Sequence, residues 1–199
     1  YSLDLFFCNY CKLIQLNDIV ASKKIYINYL YKTKHSVGLS EHFHVYAKNV
    51  YKLLNIKKKN KIIDIGCNDG TFLSFFKKKG FKVVGIDPAN NIVSDCKKQN
   101  IELINDFFNY RLAKKLKKKH SCELITANNV LANIPNINSF FKGISFLLND
   151  NGYFIFETIY GPDIIKNKYI DMINSEHLYY FSLKSLSYML KKNNLKIIK

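Results

Sequence analysis

The stretch Lys61-Ile62-Ile63-Asp64-Ile65-Gly66-Cys67-Asn68-Asp69-Gly70-Thr71 decides the fold. Its first five residues form a short apolar run that ends at a glycine, the pattern of a buried parallel strand. Two glycines four residues apart follow, and then Thr71 to Lys79 repeats apolar residues at helical spacing up to Gly80, a natural residue to end a helix. Strand, glycine turn and helix in this order make half of a βαβ unit. The glycines let backbone amides approach a ligand where a Cβ would clash. Asp64-x-Gly66-x-x-x-Gly70 lacks the spacing of a dinucleotide fingerprint and the Gly-Lys-Ser/Thr of a P-loop. An acid at the strand end suits a ligand with a cationic amino-acid portion; a tight turn with no ligand is the alternative.

Working outward, the pattern repeats. Lys82 to Ile86, Ile101 to Ile104, Glu123 to Ala127 and Tyr153 to Glu157 read as strands, and Leu195 to Ile198 as the start of a sixth. Helices are predicted over 41–55, 88–99, 107–119, 139–148, where Asn149-Asp150-Asn151-Gly152 stops the helix, and 182–192. The fold class is therefore α/β, a mostly parallel sheet with helices on both faces. Ligands of such sheets bind beyond the carboxyl ends of the strands. That rule selects Asp64, Gly66, Asn68 and Gly70 after the first strand. Asp87, 23 residues past Asp64, is placed to accept ribose hydroxyls, with a surface helix cap as the alternative. Asp106 and Phe107 follow the third strand and suit an adenine, by hydrogen bond and by stacking. Asn128 and Asn129 follow the fourth, as amides for polar ligand groups or as caps. Four such sets at successive strand ends favour a nucleoside-type ligand over a chance arrangement.

Residues 1–40 differ from 41–199: they hold Cys8-x-x-Cys11, many tyrosines and apolar runs without clear periodicity. The start at Tyr1, with no initiator Met or signal features, reads as the interior of a longer chain. The net charge of +16 invites a nucleic-acid reading, but Arg111 is the only arginine, and specific phosphate and base recognition favours arginine. The lysine runs at 57–59 and 114–119 read as solvated helix faces, so no specific nucleic-acid partner is expected. No uncharged apolar stretch is long enough for a membrane span. The five cysteines form no secreted disulfide framework, which implies a reducing cytoplasm.

The string IIDIGCNDGTFLSFFKKKGFKVVGIDPANN, with NDFFN, ANNVLANIPNINSFFKG and SEHLYYFSL after it, resembles the family of S-adenosylmethionine-dependent sugar C-methyltransferases, which act on nucleotide-linked 4-keto-deoxysugars. LDLFFCNYCKLIQL resembles the second half of that family's zinc-binding module, and YLYKTKHSVGLSEHFHVYAKNVY its linker helix. The resemblance implies a Rossmann-like class I methyltransferase domain over 41–199, truncated at its C-terminal end, behind a partial zinc module over 1–40. It implies S-adenosyl-L-methionine as cofactor, a nucleotide-linked sugar as substrate, and Cys8 and Cys11 as two zinc ligands of an incomplete site. It also implies His177 as general base, Glu176 as the group that orients it or holds the sugar, and Tyr31 as a substrate contact, with Tyr29 close by. The family's Tyr-His-Glu-His tetrad reads Asn174-Ser175-Glu176-His177 here, and Asn133 stands where the family has a histidine. These departures leave open the sugar, transfer to oxygen or nitrogen of another small molecule, and a non-catalytic cofactor binder. The family's chains are about twice as long, so this chain reads as an internal fragment.

Overall fold

A computed structural model describes residues 2–54, 60–120 and 122–198, and for Lys119 the backbone alone. The lysine run at 57–59 lies outside the described residues. Five strands form the central sheet: β3 (Lys61–Ile65), β4 (Lys82–Ile86), β5 (Glu102–Ile104), β6 (Cys122–Asn128) and β7 (Leu148–Glu157). Their order is β5-β4-β3-β6-β7 and every pair is parallel. The chain therefore winds outward in one direction from β3 and in the other from β6. The β3/β6 boundary is the topological switch point, where a crevice opens beyond the strand ends.

Alternation along the strands sorts the core into two layers. Ile63, Ile65, Val84, Ile86, Ile125 and Ala127 face α5 (Tyr110–His120), α6 (Ile137–Leu147) and α8 (Leu183–Lys192). Ile62, Val83 and Leu124 face α2 (Leu39–Leu54), α3 (Thr71–Lys78) and α4 (Val93–Lys98). α2 carries Phe43, Ala47 and Val50 inward at helical spacing, and leaves His42 and His44 outside. α3 ends as expected, with Gly80 at φ +87°.

Several boundaries differ from the sequence reading. The 88–99 segment opens with a 3-10 turn over Asn90–Ile92 before α4, because Asp87 Oδ1 accepts the Ala89 N–H and holds the chain out of the helix. The fourth helix starts only at Tyr110: Asn109 Oδ1 accepts the Leu112 N–H as a cap, and 105–108 form no helix, with a bend at Asp106 whose N–H bonds Ile104 O at 3.0 Å. Asn149 to Gly152 do not separate helix from strand. Cys122 pairs with Leu148 and Leu124 with Tyr153, so the turn residues form a bulge inside β7. No strand forms over 195–198. The Leu195 N–H closes the end of α8 on Leu190 O, Leu195 packs on the core, and the next residues run unpaired with Ile198 exposed.

The first forty residues hold more structure than their pattern suggests. β1 (Leu5–Phe7) and β2 (Ile14–Leu16) form an antiparallel hairpin, and β2 continues to β8 (Tyr179–Tyr180) in a three-stranded sheet. α1 (Ser22–Tyr26) and a 3-10 turn over Thr33–His35 then bring the chain across the crevice to α2.

Candidate active site

Beyond the carboxyl ends of β3, β4 and β6 lies a cavity of about 1030 Å³. Its floor is the turn after β3. Gly66 adopts φ +71°, and a Cβ there would sit 2.2 Å from Val130 Cγ2, so glycine is required by backbone and neighbour alike. The Gly66 N–H bonds Ile86 O at 2.7 Å, which ties this turn to the end of β4. Asp64 is fully buried, accepts the Thr126 hydroxyl at 2.7 Å, and has its carboxyl pushed up to about 7, first by burial and against the effect of that bond. Asp87 is buried too and accepts the Asn68 and Ala89 N–H groups, each at 2.9 Å; burial raises it while those bonds pull the other way. Asp106, Phe107, Asn128 and Asn129 all line the same space. Both amide atoms of the buried Asn128 have no partner among the described residues. A buried amide in that condition costs free energy unless a ligand completes it.

Two residues selected from the sequence have structural partners of their own. Gly70 does not line the cavity; its φ is +80° and its missing Cβ makes room for Ile101 Cδ1, 2.7 Å from where it would lie. It shapes the start of α3. Asn68 lines the cavity, and its side chain holds the front segment: Oδ1 accepts the Thr33 N–H at 3.0 Å and Nδ2 donates to Tyr31 O at 2.9 Å. Asp69 Oδ2 accepts the Lys34 N–H, Asn91 Nδ2 donates to Tyr29 O, and Lys32 and Lys34 both reach Asp95, at 2.8 and 2.7 Å. Those two ammonium groups hold Asp95 down at about 2. Residues 27–34 are thus strapped over the cofactor loops.

The strap delivers tyrosines. Tyr29 donates its hydroxyl to Glu176 Oε2 at 3.3 Å, and burial followed by the Glu176 charge pushes it up to about 12. Tyr26 meets Tyr29 edge to face and accepts the Asn133 amide at 2.9 Å, its phenol raised by burial. Tyr31 lines the cavity but is 43% exposed, so Tyr29 is the tyrosine in contact with Glu176. Glu176 and His177 line the cavity as well. The sequence reading did not single out Tyr26 or Asn91. The available signal was Tyr26-x-x-Tyr29, a helical spacing inside a segment read as aperiodic.

This geometry, an open α/β sheet with a glycine turn and acids at successive strand ends, agrees with comparison to known proteins. A model described as "Methyltransferase domain" matches residues 39–199. The chain belongs to the methyltransferase domain family. The chain is 26% identical over all its 199 residues to the C-methyltransferase NovU of Streptomyces niveus, and spans 47% of that protein. Its fold is similar to a SAM-dependent methyltransferase from Archaeoglobus fulgidus, with TM-score 0.63 and 15% identity over 79% of this chain and 71% of that one. It is also similar to magnesium protoporphyrin IX methyltransferase (ChlM) from Synechocystis PCC 6803, solved with bound SAH, with TM-score 0.61 and 14% identity over 82% and 75% of the two chains. The chain therefore has the Rossmann-like fold of these proteins.

The residues at hand fit the cofactor of that fold: a glycine turn in the left-handed conformation, buried acids at two strand ends, and an orphaned amide. They do not complete a zinc site. Cys8 and Cys11 are free thiols, and among the described residues no group of three or more His, Cys, Asp or Glu could hold a metal ion, whereas tetrahedral zinc takes four ligands. No described helix is long and apolar enough to cross a membrane.

Proposed function

We propose that this chain carries the S-adenosylmethionine site and the catalytic groups of an enzyme that methylates a carbon next to the carbonyl of a nucleotide-linked keto-deoxysugar. One observation carries the reading: a single cavity joins the turns after β3, β4, β5 and β6 to Glu176, His177 and the tyrosine strap. The likeness to a C-methyltransferase supports it. When bound, the cofactor supplies an electrophilic methyl group on a sulfonium. Asp87 is placed for the ribose hydroxyls, Asp106 and Phe107 for the adenine, and Asn128 for a polar group of the amino-acid end. Asp64 supplies negative charge beneath a cationic guest.

His177 takes the proton from the carbon beside the substrate carbonyl, and the electron pair left on that carbon is the nucleophile. Glu176, fixed by Tyr29, holds a sugar hydroxyl or steadies the imidazolium. Placing the two reactants in one closed space provides most of the acceleration. The 1–40 segment acts as a strap-bearing module, with Cys8 and Cys11 as half of a zinc site whose other ligands lie outside the described residues. The enzyme works in the reducing cytoplasm, a reading supported by its five free cysteines.

The test uses the full-length protein with labelled S-adenosylmethionine and a thymidine-diphosphate-linked 4-keto-6-deoxyhexose. His177→Asn is expected to keep cofactor affinity and lose turnover, and NMR of the wild-type product is expected to find the new methyl on carbon. Unchanged turnover removes His177 as the base. A methyl on oxygen selects the second reading, which the replacements at Asn133 and Asn174 leave open.

A further inference from the structure

The segment between α7 (Gly161–Asn167) and β8 contains one short turn whose bonds all converge on the proposed base. Asn174 Oδ1 accepts two backbone N–H groups, that of Glu176 at 3.0 Å and that of His177 at 3.2 Å. An asparagine side chain bonded to the backbone two residues on is an Asx turn, and here it is doubled. The two N–H donors settle which end of the amide is oxygen. Its Nδ2 consequently faces the imidazole, 3.1 Å from His177 Nδ1. On the other side of the same ring nitrogen lies Met172 O at 2.8 Å, at the end of the 3-10 turn Ile170–Met172.

A carbonyl oxygen only accepts, so at that distance the favourable arrangement has Nδ1 carrying hydrogen. In a neutral imidazole the lone pair then resides on Nε2, the nitrogen not engaged by this turn, on a ring that lines the cavity. With Nδ1–H committed to the Met172 carbonyl at the shorter distance, the 3.1 Å approach of Asn174 Nδ2 is a contact between two N–H groups and not a hydrogen bond, so Asn174 acts on the ring through the turn that its Oδ1 builds.

We propose that Asn174 is a positioning residue whose turn seats the His177 ring against the Met172 carbonyl, and that this carbonyl fixes the Nδ1–H tautomer with Nε2 presented as the proton acceptor. The inference rests on His177 being the base. The residue that departs from the family's tetrad does not face the substrate; it braces the Glu-His pair from behind.

The test measures tautomer and kinetics separately in the full-length protein. Long-range 15N NMR of histidine-labelled wild type is expected to show His177 with Nδ1 protonated and Nε2 bare in its neutral form. Asn174→Ala removes the turn acceptor, so an Nε2–H population is expected, with kcat down on the order of 10-fold or more and cofactor affinity within twofold. Asn174→Asp keeps Oδ1 and restores the turn, but places a carboxylate beside Nδ1. It is expected to retain the Nδ1–H tautomer and move the acidic limb of the pH–rate profile upward by roughly one unit or more. Glu176, Tyr29 bonded to it, Tyr26 edge-on against Tyr29, and Asp64, Asp87, Asp106, Lys23 and Tyr31 are the carboxyl, phenol and amino side chains lining the cavity with His177, and neither variant changes them.

A wild type dominated by Nε2–H overturns the proposal, as does an Asn174→Asp profile that stays where it was. If Asn174→Ala fails to fold, the wild-type spectrum and the Asp variant still decide. Should His177→Asn retain turnover while the tautomer is as stated, the base assignment fails and the geometry of the turn survives, so the two failures are distinct.

Discussion

Replacing Asp64 by asparagine separates the ligand role of this carboxylate from its effect on folding. The folded carboxyl is pushed up to about 7 from an ordinary value of 3.8, chiefly by burial. Between those values the folded chain holds a proton that the unfolded chain has released, so stability falls as pH rises through the window and is level above it. A gap of about three units at about 1.36 kcal/mol per unit makes the full loss about 4 kcal/mol. Between pH 5 and pH 8, roughly 3 kcal/mol of that loss is within reach of measurement. Asparagine keeps an oxygen for the Thr126 hydroxyl and does not titrate. Urea unfolding at both pH values is expected to show Asp64→Asn more stable than wild type by about 1–2 kcal/mol at the lower pH and by about 4 kcal/mol at the higher. The raised Asp87 contributes a slope of the same sign to both proteins, so the difference between them isolates Asp64. In the same samples, affinity for the cationic cofactor is expected to rise with pH in wild type and stay level in the variant. Stability curves that run parallel from pH 5 to pH 8 refute the reasoning.

Asp87→Ala is expected to weaken S-adenosylmethionine binding by about 1–3 kcal/mol in calorimetry, the cost of unpaired ribose hydroxyls. The same change also frees the Asn68 N–H, so a partial loss of stability by urea unfolding accompanies it. Gly66→Val is expected to abolish cofactor binding, because the position has φ +71° and its Cβ alone meets Val130 at 2.2 Å; retained binding in calorimetry contradicts the cradle. Asp95→Ala removes the acceptor of both Lys32 and Lys34 and is expected to speed tryptic cleavage within 27–34, with the rest of the domain intact on a gel.

The central sheet was legible in the sequence because each strand is a short apolar run stopped by glycine, acid or amide, and local pattern is enough to see that. Lys61–Ile65 and Lys82–Ile86 fall where the pattern puts them. The failures share a cause: structure that depends on a distant partner leaves little local trace. β2 finds its second neighbour in Tyr179–Tyr180, and Tyr29 reaches Glu176 across 147 residues. The same holds for the bulge at 149–152, whose turn chemistry was read correctly and placed in the wrong element, since only pairing with Cys122 carries the strand back to Leu148.

Asn68 shows why a motif identifies a region more securely than it assigns a task. In sequence it stands between the two glycines and invites a ligand role. In the fold it adopts φ +48°, gives its N–H to Asp87, and uses both ends of its amide on the strap. The residue that shapes the cofactor floor thereby also places the tyrosines that roof the cavity. A displacement of this loop acts on Asp87 and on Tyr31 O through one side chain and one N–H. Affinity for cofactor and the position of the strap are therefore coupled through Asn68, whose substitution by alanine removes the strap's two bonds to that side chain while leaving the Asp87 bond in place.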